Sequence, residues 1–161
     1  MINTGELTSK GVELELAAAV ARGLNVSLSG SFTDAKLTKA GLAFDAKEGD
    51  RAPNVPRWNW SLSADYRRPI AKGDIFISGA VTYTGKSYSD FESVSSARIV
   101  PDSTSLDMFL GYETEAWTIS LFGKNLTDEL IVTAVDTDRR TPLTYSVARP
   151  RTLGINLKRR F

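Results

Sequence analysis

The sequence predicts an all-β fold: an antiparallel up-and-down meander of about seven strands, curved as part of a transmembrane β-barrel. Three observations predict it. Apolar residues recur with a period of two along most of the chain, connections alternate between short and long, and aromatic residues gather near the ends of the apolar faces. A period of two puts successive side chains on opposite faces of a strand, whereas helical spacing would mix them.

The strands follow in order. Val12, Leu14, Leu16, Ala18 and Val20 alternate with Glu13, Glu15, Ala17 and Ala19. Leu24, Val26, Leu28, Gly30 and Phe32 then alternate with Asn25, Ser27, Ser29, Ser31 and Thr33, a nearly pure two-faced ribbon. Trp58, Trp60, Leu62, Ala64 and Tyr66 oppose Asn59, Ser61, Ser63 and Asp65. Ile75, Ile77, Gly79, Val81 and Tyr83 oppose Phe76, Ser78, Ala80, Thr82 and Thr84. Leu106, Met108, Leu110 and Tyr112 form a fifth strand, Trp117, Ile119 and Leu121 a sixth, and Leu153, Ile155 and Leu157 a seventh that closes at Phe161. No segment has the periodicity of a helix.

The connections narrow the architecture further. Residues 21–23, 67–73 and 114–116 are short links, while 38–56, 85–103 and 126–150 are long, and all the long ones fall at one end. Compact domains seldom hold unstructured loops beyond about 12 to 15 residues. Outer-membrane barrels combine short periplasmic turns with long extracellular loops. Strands of about ten residues match the 9 to 11 that a tilted strand needs to cross a bilayer.

Aromatic placement agrees. Tyr66, Tyr112, Trp117 and Phe161 sit on apolar faces at the short-turn end or the terminus, and Trp58, Trp60 and Tyr83 nearer the long-loop end, as membrane-interface girdles require. A soluble β-sandwich binding module, with these aromatics as its core, is the alternative. The second strand argues against it, because its polar face carries only Asn, Ser and Thr where a solvated sandwich would carry Lys and Glu.

Composition excludes whole classes of function. The 161 residues hold 20 Lys and Arg against 19 Asp and Glu, a net charge of +1, so no electrostatic case for nucleic acid exists. Without Cys or His there is no disulfide, thiolate nucleophile, imidazole base or imidazole metal ligand. No catalytic residue, metal or cofactor is expected, and the chain does not read as an enzyme. Apolar stretches fall short of a spanning helix, and the opening residues lack a signal peptide's h-region. In a seven-strand meander the first and last strands run the same way, whereas bacterial single-chain barrels have even strand counts. The expectation is a piece of a longer barrel lacking an odd number of upstream strands.

The segments "NTGELTSKGVELEL" (3–16), "GDRAPNVPRWNWSLSADY" (49–66), "WTISLFGKNLTDE" (117–129) and "RPRTLGINLKRRF" (149–161) together resemble the C-terminal barrel of the TonB-dependent outer-membrane receptors. The resemblance implies that residues 1–161 are the last seven of 22 strands, with the plug and earlier strands absent. It implies a component of TonB-energised uptake of a scarce small-molecule nutrient such as a siderophore, in the outer membrane of a Gram-negative bacterium and inactive alone. Implied partners are outer-membrane lipid, the barrel-assembly machinery, and TonB through the absent plug. A passive porin-type or other barrel is the runner-up. The resemblance also marks Leu153, Ile155, Leu157 and Phe161 as an assembly signal, with Arg159 occupying an apolar slot.

Within the last long loop, Arg139 and Arg140 with Tyr145 are candidates to grip an anionic ligand through charge-assisted hydrogen bonds. Glu13 and Glu15 share a face but read as lumen-facing charges, not an acid and base. Gly111, Gly123 and Gly154 mark bends, bulges or close packing. Phe76, Phe109 and Phe122 fall on the polar face, which leaves either plug contact or a bulge that shifts the phase.

Overall fold

The computed structural model describes residues 5–41, 45–136 and 143–160. Eleven strands follow one another: β1 (Gly5–Ala21), β2 (Leu24–Ala40), β3 (Trp58–Ile70), β4 (Gly73–Thr84), β5 (Ser87–Tyr88), β6 (Ile99–Val100), β7 (Ser103–Glu113), β8 (Trp117–Lys124), β9 (Val132–Asp136), β10 (Thr144–Val147) and β11 (Thr152–Arg159). Among the described residues there is no helix. Seven strands form one antiparallel sheet in the order β1-β2-β3-β4-β7-β8-β11, which is the predicted meander. The other four are short and form two-stranded hairpins, β5 with β6 and β9 with β10, inside the second and third long connections. They run two to five residues, too short for a period to register.

Register explains why the sheet has two chemically distinct faces. Leu16, Leu28, Leu62, Val81 and Leu106 stand opposite one another across five strands. One residue further along, Glu15, Ser29, Ser61, Thr82 and Ser105 make the corresponding row on the other face. A slip of one residue would exchange these rows, so the alternation itself fixes the pairing.

The first hairpin departs from expectation in length. β1 and β2 each run 17 residues, against about ten predicted. Beyond the apolar stretch, polar pairing replaces alternation: Lys39 Nζ lies 2.7 Å from Glu6 Oε1, and Lys10 stands opposite Asp34. At about 3.4 Å per residue the hairpin extends about 58 Å, well past an apolar band about 25 Å tall.

The three inward phenylalanines have their explanation in the glycines. No register shift interrupts the ladders that hold them; Phe76 pairs with Gly111, Phe109 with Phe122, and Phe122 with Gly154. A Cβ on Gly111 would lie 2.2 Å from Phe76 Cζ, and one on Gly154 2.4 Å from Phe122 Cζ. The Phe76 and Phe122 rings lie over the glycine of the next strand and Phe109 packs against Phe122, centroids 6.3 Å apart, so the phase is regular and Gly111 and Gly154 serve close packing.

The sandwich alternative requires two packed layers, and this sheet is a single one. Trp58 is 57% and Ile119 49% exposed, and no large side chain among the described residues is fully buried. The buried apolar residues Ala35, Leu37, Ala46, Ala52, Val100 and Val135 instead collect at the long-loop end. There the first long connection runs back along β2, its Ala52 N–H donating to the Ala35 carbonyl at 2.9 Å and Asp50 accepting from the Leu37 N–H.

Candidate functional site

The outward face carries the aromatics expected to form interface girdles in rows near its two ends. Near the long-loop end Trp60 stacks on Tyr83, centroids 5.8 Å apart, and the Tyr83 hydroxyl donates to Asp102. Trp58 packs at 4.7 Å against Phe32, an aromatic that belongs to the same girdle and that sequence reasoning left among ordinary apolar positions. The register pairing of Phe32 with Trp58 was the available signal. At the short-turn end Tyr66 shares a row with Ile77, Leu110, Leu121 and Ile155, and Tyr112 shares the next with Ile75 and Ile119. Trp117 opens β8 at the same end. Phe161 lies outside the described residues.

The inward face is polar and grooved. Glu13 and Glu15 stand opposite Ser31 and Ser29, and a shallow groove of about 420 Å³ runs between them and Asn59, Ser61, Thr82 and Thr84. Lower down, the phenylalanines replace hydroxyls. At the short-turn rim Arg67 reaches Asp74 at 3.1 Å and Glu113 at 2.9 Å, and Arg160 also pairs with Glu113. The Arg67 guanidinium lies 5.5 Å from the Phe76 ring centroid, tying the ionic cluster to the aromatic ledge.

The long connections are held by specific clasps. Asn125, buried and at φ 48°, donates its amide to the carbonyls of Glu129 and Arg149 and accepts from the Glu129 N–H and the Thr127 hydroxyl. The Asn125-Leu126-Thr127 segment is therefore a structural knot joining the tops of β7, β8 and β11, a role that sequence reasoning missed. Asp50 accepts from the Ser93 hydroxyl and the Lys47 N–H, joining the first two connections. Burial works against that charge, but these hydrogen bonds outweigh it and hold the carboxyl below the usual range. The Tyr88 hydroxyl donates to Glu92 at 2.8 Å, which with burial raises its pKa, while the Arg51 guanidinium lies over the ring.

Of the ligand candidates, Tyr145 stands on β10 opposite Val135, 53% exposed. Arg139 and Arg140 lie outside the described residues, so no geometry joins the three. The terminal residues Leu153, Ile155 and Leu157 alternate on the outward face at 70%, 72% and 61% exposure. Arg159, in its apolar slot, places its guanidinium 5.2 Å from the Trp117 ring centroid. No group of three or more Asp, Glu, His or Cys that could hold a metal gathers among the described residues.

One sheet layer, apolar and aromatic outward and polar inward, with turns at one end and structured loops at the other, has the pattern of a membrane β-barrel's wall. Residues 1–126 match the TonB dependent receptor-like, beta-barrel family, and the chain belongs to it. That is a receptor and transport family, not an enzyme family, and its known members are outer-membrane proteins of Gram-negative bacteria. Among solved structures, the chain is similar to the ferric yersiniabactin uptake receptor FyuA of Yersinia pestis, with 26% identity over 96% of this chain and 24% of that one, at a TM-score of 0.82. The siderophore receptor PiuA of Acinetobacter baumannii matches at 22% identity over 95% of this chain and 22% of its own, TM-score 0.76. BauA, the ferric preacinetobactin receptor of the same organism, matches at 22% identity over 96% and 22%, TM-score 0.74. The last two likenesses show the fold alone. The chain spans about a quarter of the length of these receptors.

Proposed function

We propose that this chain is the C-terminal seven-strand portion of a 22-stranded TonB-dependent receptor. In this reading it takes part in uptake of a small-molecule nutrient such as a ferric siderophore across a Gram-negative outer membrane. TonB supplies the energy through a plug contributed by the rest of the receptor, and the seven strands alone are inert in transport. The two-faced single layer carries the reading, because a sheet exposing Leu153, Ile155 and Leu157 on one side needs lipid there. Seven strands at about 4.8 Å spacing make a sheet only about 34 Å wide, too narrow to close a gated pore. Tyr145, Arg139 and Arg140 are the residues of the last long connection assigned to ligand binding in this reading. Leu153, Ile155, Leu157 and Phe161 present the strand that the barrel-assembly machinery recognises.

Iron-limited growth tests this directly. The complete receptor should restore growth on a ferric siderophore in a receptor-deleted host with TonB and not in one without it. Equal rescue in both hosts would mean passive, porin-like passage. Stable, uniform conductance steps from the seven strands alone in planar bilayers would refute their inertness.

A further inference from the structure

The charged side chains at the two ends of the wall are partnered differently. At the long-loop end Asp34 takes Lys36 at 2.8 Å and Arg57 at 3.2 Å, and Glu6 takes Lys39. On the inward side of the short-turn rim Arg67, Asp74, Glu113 and Arg160 satisfy one another. Arg22, Arg68 and Lys72 lie outside these clusters, as do the separately placed Lys86, Lys124 and Lys158. The first three are exposed at the short-turn rim, and none of them has an ion pair or side-chain hydrogen bond among the described residues.

Their placement makes one patch. Arg68 follows Tyr66 on the outward face of β3 and pairs in register with Ile75. The turn holding Arg22 docks beside it, since the Arg67 N–H donates to the Gly23 carbonyl at 2.8 Å. Lys72 lies in the two-residue turn joining Ile70 to Gly73. Across the sheet the three therefore span about two strand spacings, about 10 Å, with the Arg22 turn level with Arg67 and Lys72 about three residues, about 10 Å, farther towards the rim. Glu115, the exposed carboxylate of the β7–β8 turn, stands farther along the sheet beyond β4 and β7. Directly above the patch lie Tyr66, Ile77 and Leu110.

We propose that this rim binds the phosphate of an anionic glycerophospholipid in the leaflet on the short-turn side, its acyl chains lying on the apolar face above. The inference rests on the membrane-wall reading. Guanidinium groups match phosphate bidentately, and the edge of the hydrocarbon weakens screening. A soluble phosphate would meet the cations but leave the adjoining apolar surface uncovered, so an amphiphile fits the whole patch.

The test uses the complete receptor, purified from outer membranes and exchanged into dioleoylphosphatidylglycerol or dioleoylphosphatidylcholine, with retained lipid counted by native mass spectrometry. Wild type should retain phosphatidylglycerol preferentially. Arg22→Gln, Arg68→Gln and Lys72→Gln together should lower that retention at least tenfold, given about fivefold per cation near an anionic surface, and leave phosphatidylcholine unchanged. Arg22→Lys with Arg68→Lys should keep most of it, and glycerol 3-phosphate should not displace it. If the triple variant does not fold, wild-type retention at low and high salt decides, and salt-independence overturns the proposal. Equal retention of the two lipids, wild-type retention by a folded triple variant, or displacement by glycerol 3-phosphate also overturns it while leaving the membrane wall intact. Absence of the receptor from the outer-membrane fraction overturns both.

Discussion

Placing an arginine at Met108 should cost far more than placing one on the opposite face three residues along the same strand. Ile75, paired with Tyr112, marks the short-turn girdle and Tyr83 the long-loop girdle on β4. At about 3.4 Å per residue they are about 27 Å apart along the strand, or about 20 Å in height at a tilt of 40 to 45°. Met108, 44% exposed and paired with Gly79, lies halfway between them. An arginine there sits near the bilayer midplane and should destabilise the assembled receptor by about 2 to 4 kcal/mol, against about 0 to 1 kcal/mol for Ile75→Arg near the interface. Ser105→Arg, opposite Thr82 on the inward polar face, should cost under about 1 kcal/mol because its charge stays hydrated. Urea titration in vesicles, read by fluorescence and by heat-modifiable migration, should resolve this; 3 kcal/mol moves a midpoint by about 1 to 3 M at ordinary slopes. Equal losses for Met108→Arg and Ser105→Arg would refute the assignment of faces.

Gly111→Val should destabilise by about 1 to 3 kcal/mol, because its Cβ would enter the Phe76 ring; a Phe76→Ala background should remove most of the loss in a double-mutant cycle. Asn125→Ala strips the knot of its buried amide and should lower the urea midpoint by the equivalent of about 2 to 3 kcal/mol. Asn125→Asp should cost a similar amount, since a carboxylate cannot donate to the Glu129 and Arg149 carbonyls. The Asp50 clasp has a carboxyl held below its ordinary value, so its contribution is complete above that value and is lost as pH falls through the lowered one; after correction for the intrinsic slowing of amide exchange in acid, the protection of residues 85–103 should fall on acidification in wild type and be low at every pH in Asp50→Asn. At the terminal strand, Leu157→Asp or deletion of Phe161 should reduce the receptor assembled in the outer membrane much more than ligand affinity per assembled receptor, while Arg159→Tyr, which keeps a flat group against Trp117, should leave assembly equal or higher.

The fold was legible wherever one face of a strand is apolar and the other polar. Leu24 to Phe32 and Trp58 to Tyr66 alternate without a break, so their strands, register and outward face could be read directly. Where the hairpin rises past the apolar band, β1 and β2 continue on polar pairs such as Glu6 with Lys39, and the periodic signal stops before the strand does. The short strands β5, β6, β9 and β10 are set by contacts between connections, which no local pattern records. Phe76 and Phe122 looked anomalous because the glycines that receive them, Gly111 and Gly154, sit on neighbouring strands. The Asn125 knot was hidden for a related reason: its partners Glu129 and Arg149 are remote from the alternation that identifies strands. The candidate ligand residues rested on charge and loop position alone, and the described residues position only Tyr145.

A single sheet without an interior cannot draw its stability from a core, so its faces must draw it from their surroundings. Leu14, Leu110, Ile119 and Ile155 remain 49% to 72% exposed in the isolated wall. At about 25 cal/mol per Å² of apolar surface, that exposure in water is unfavourable for every outward row, and lipid removes the cost without requiring a second layer. Water on both sides would favour collapse onto the apolar face; lipid on both sides would strand Glu13, Glu15 and the Arg67 cluster without adequate hydration. The alternation thus specifies a boundary between two solvents as well as a strand. The fold, and the membrane placement proposed for it, then follow from one two-residue period, while the proposed ligand contacts lie in connections where that period is absent.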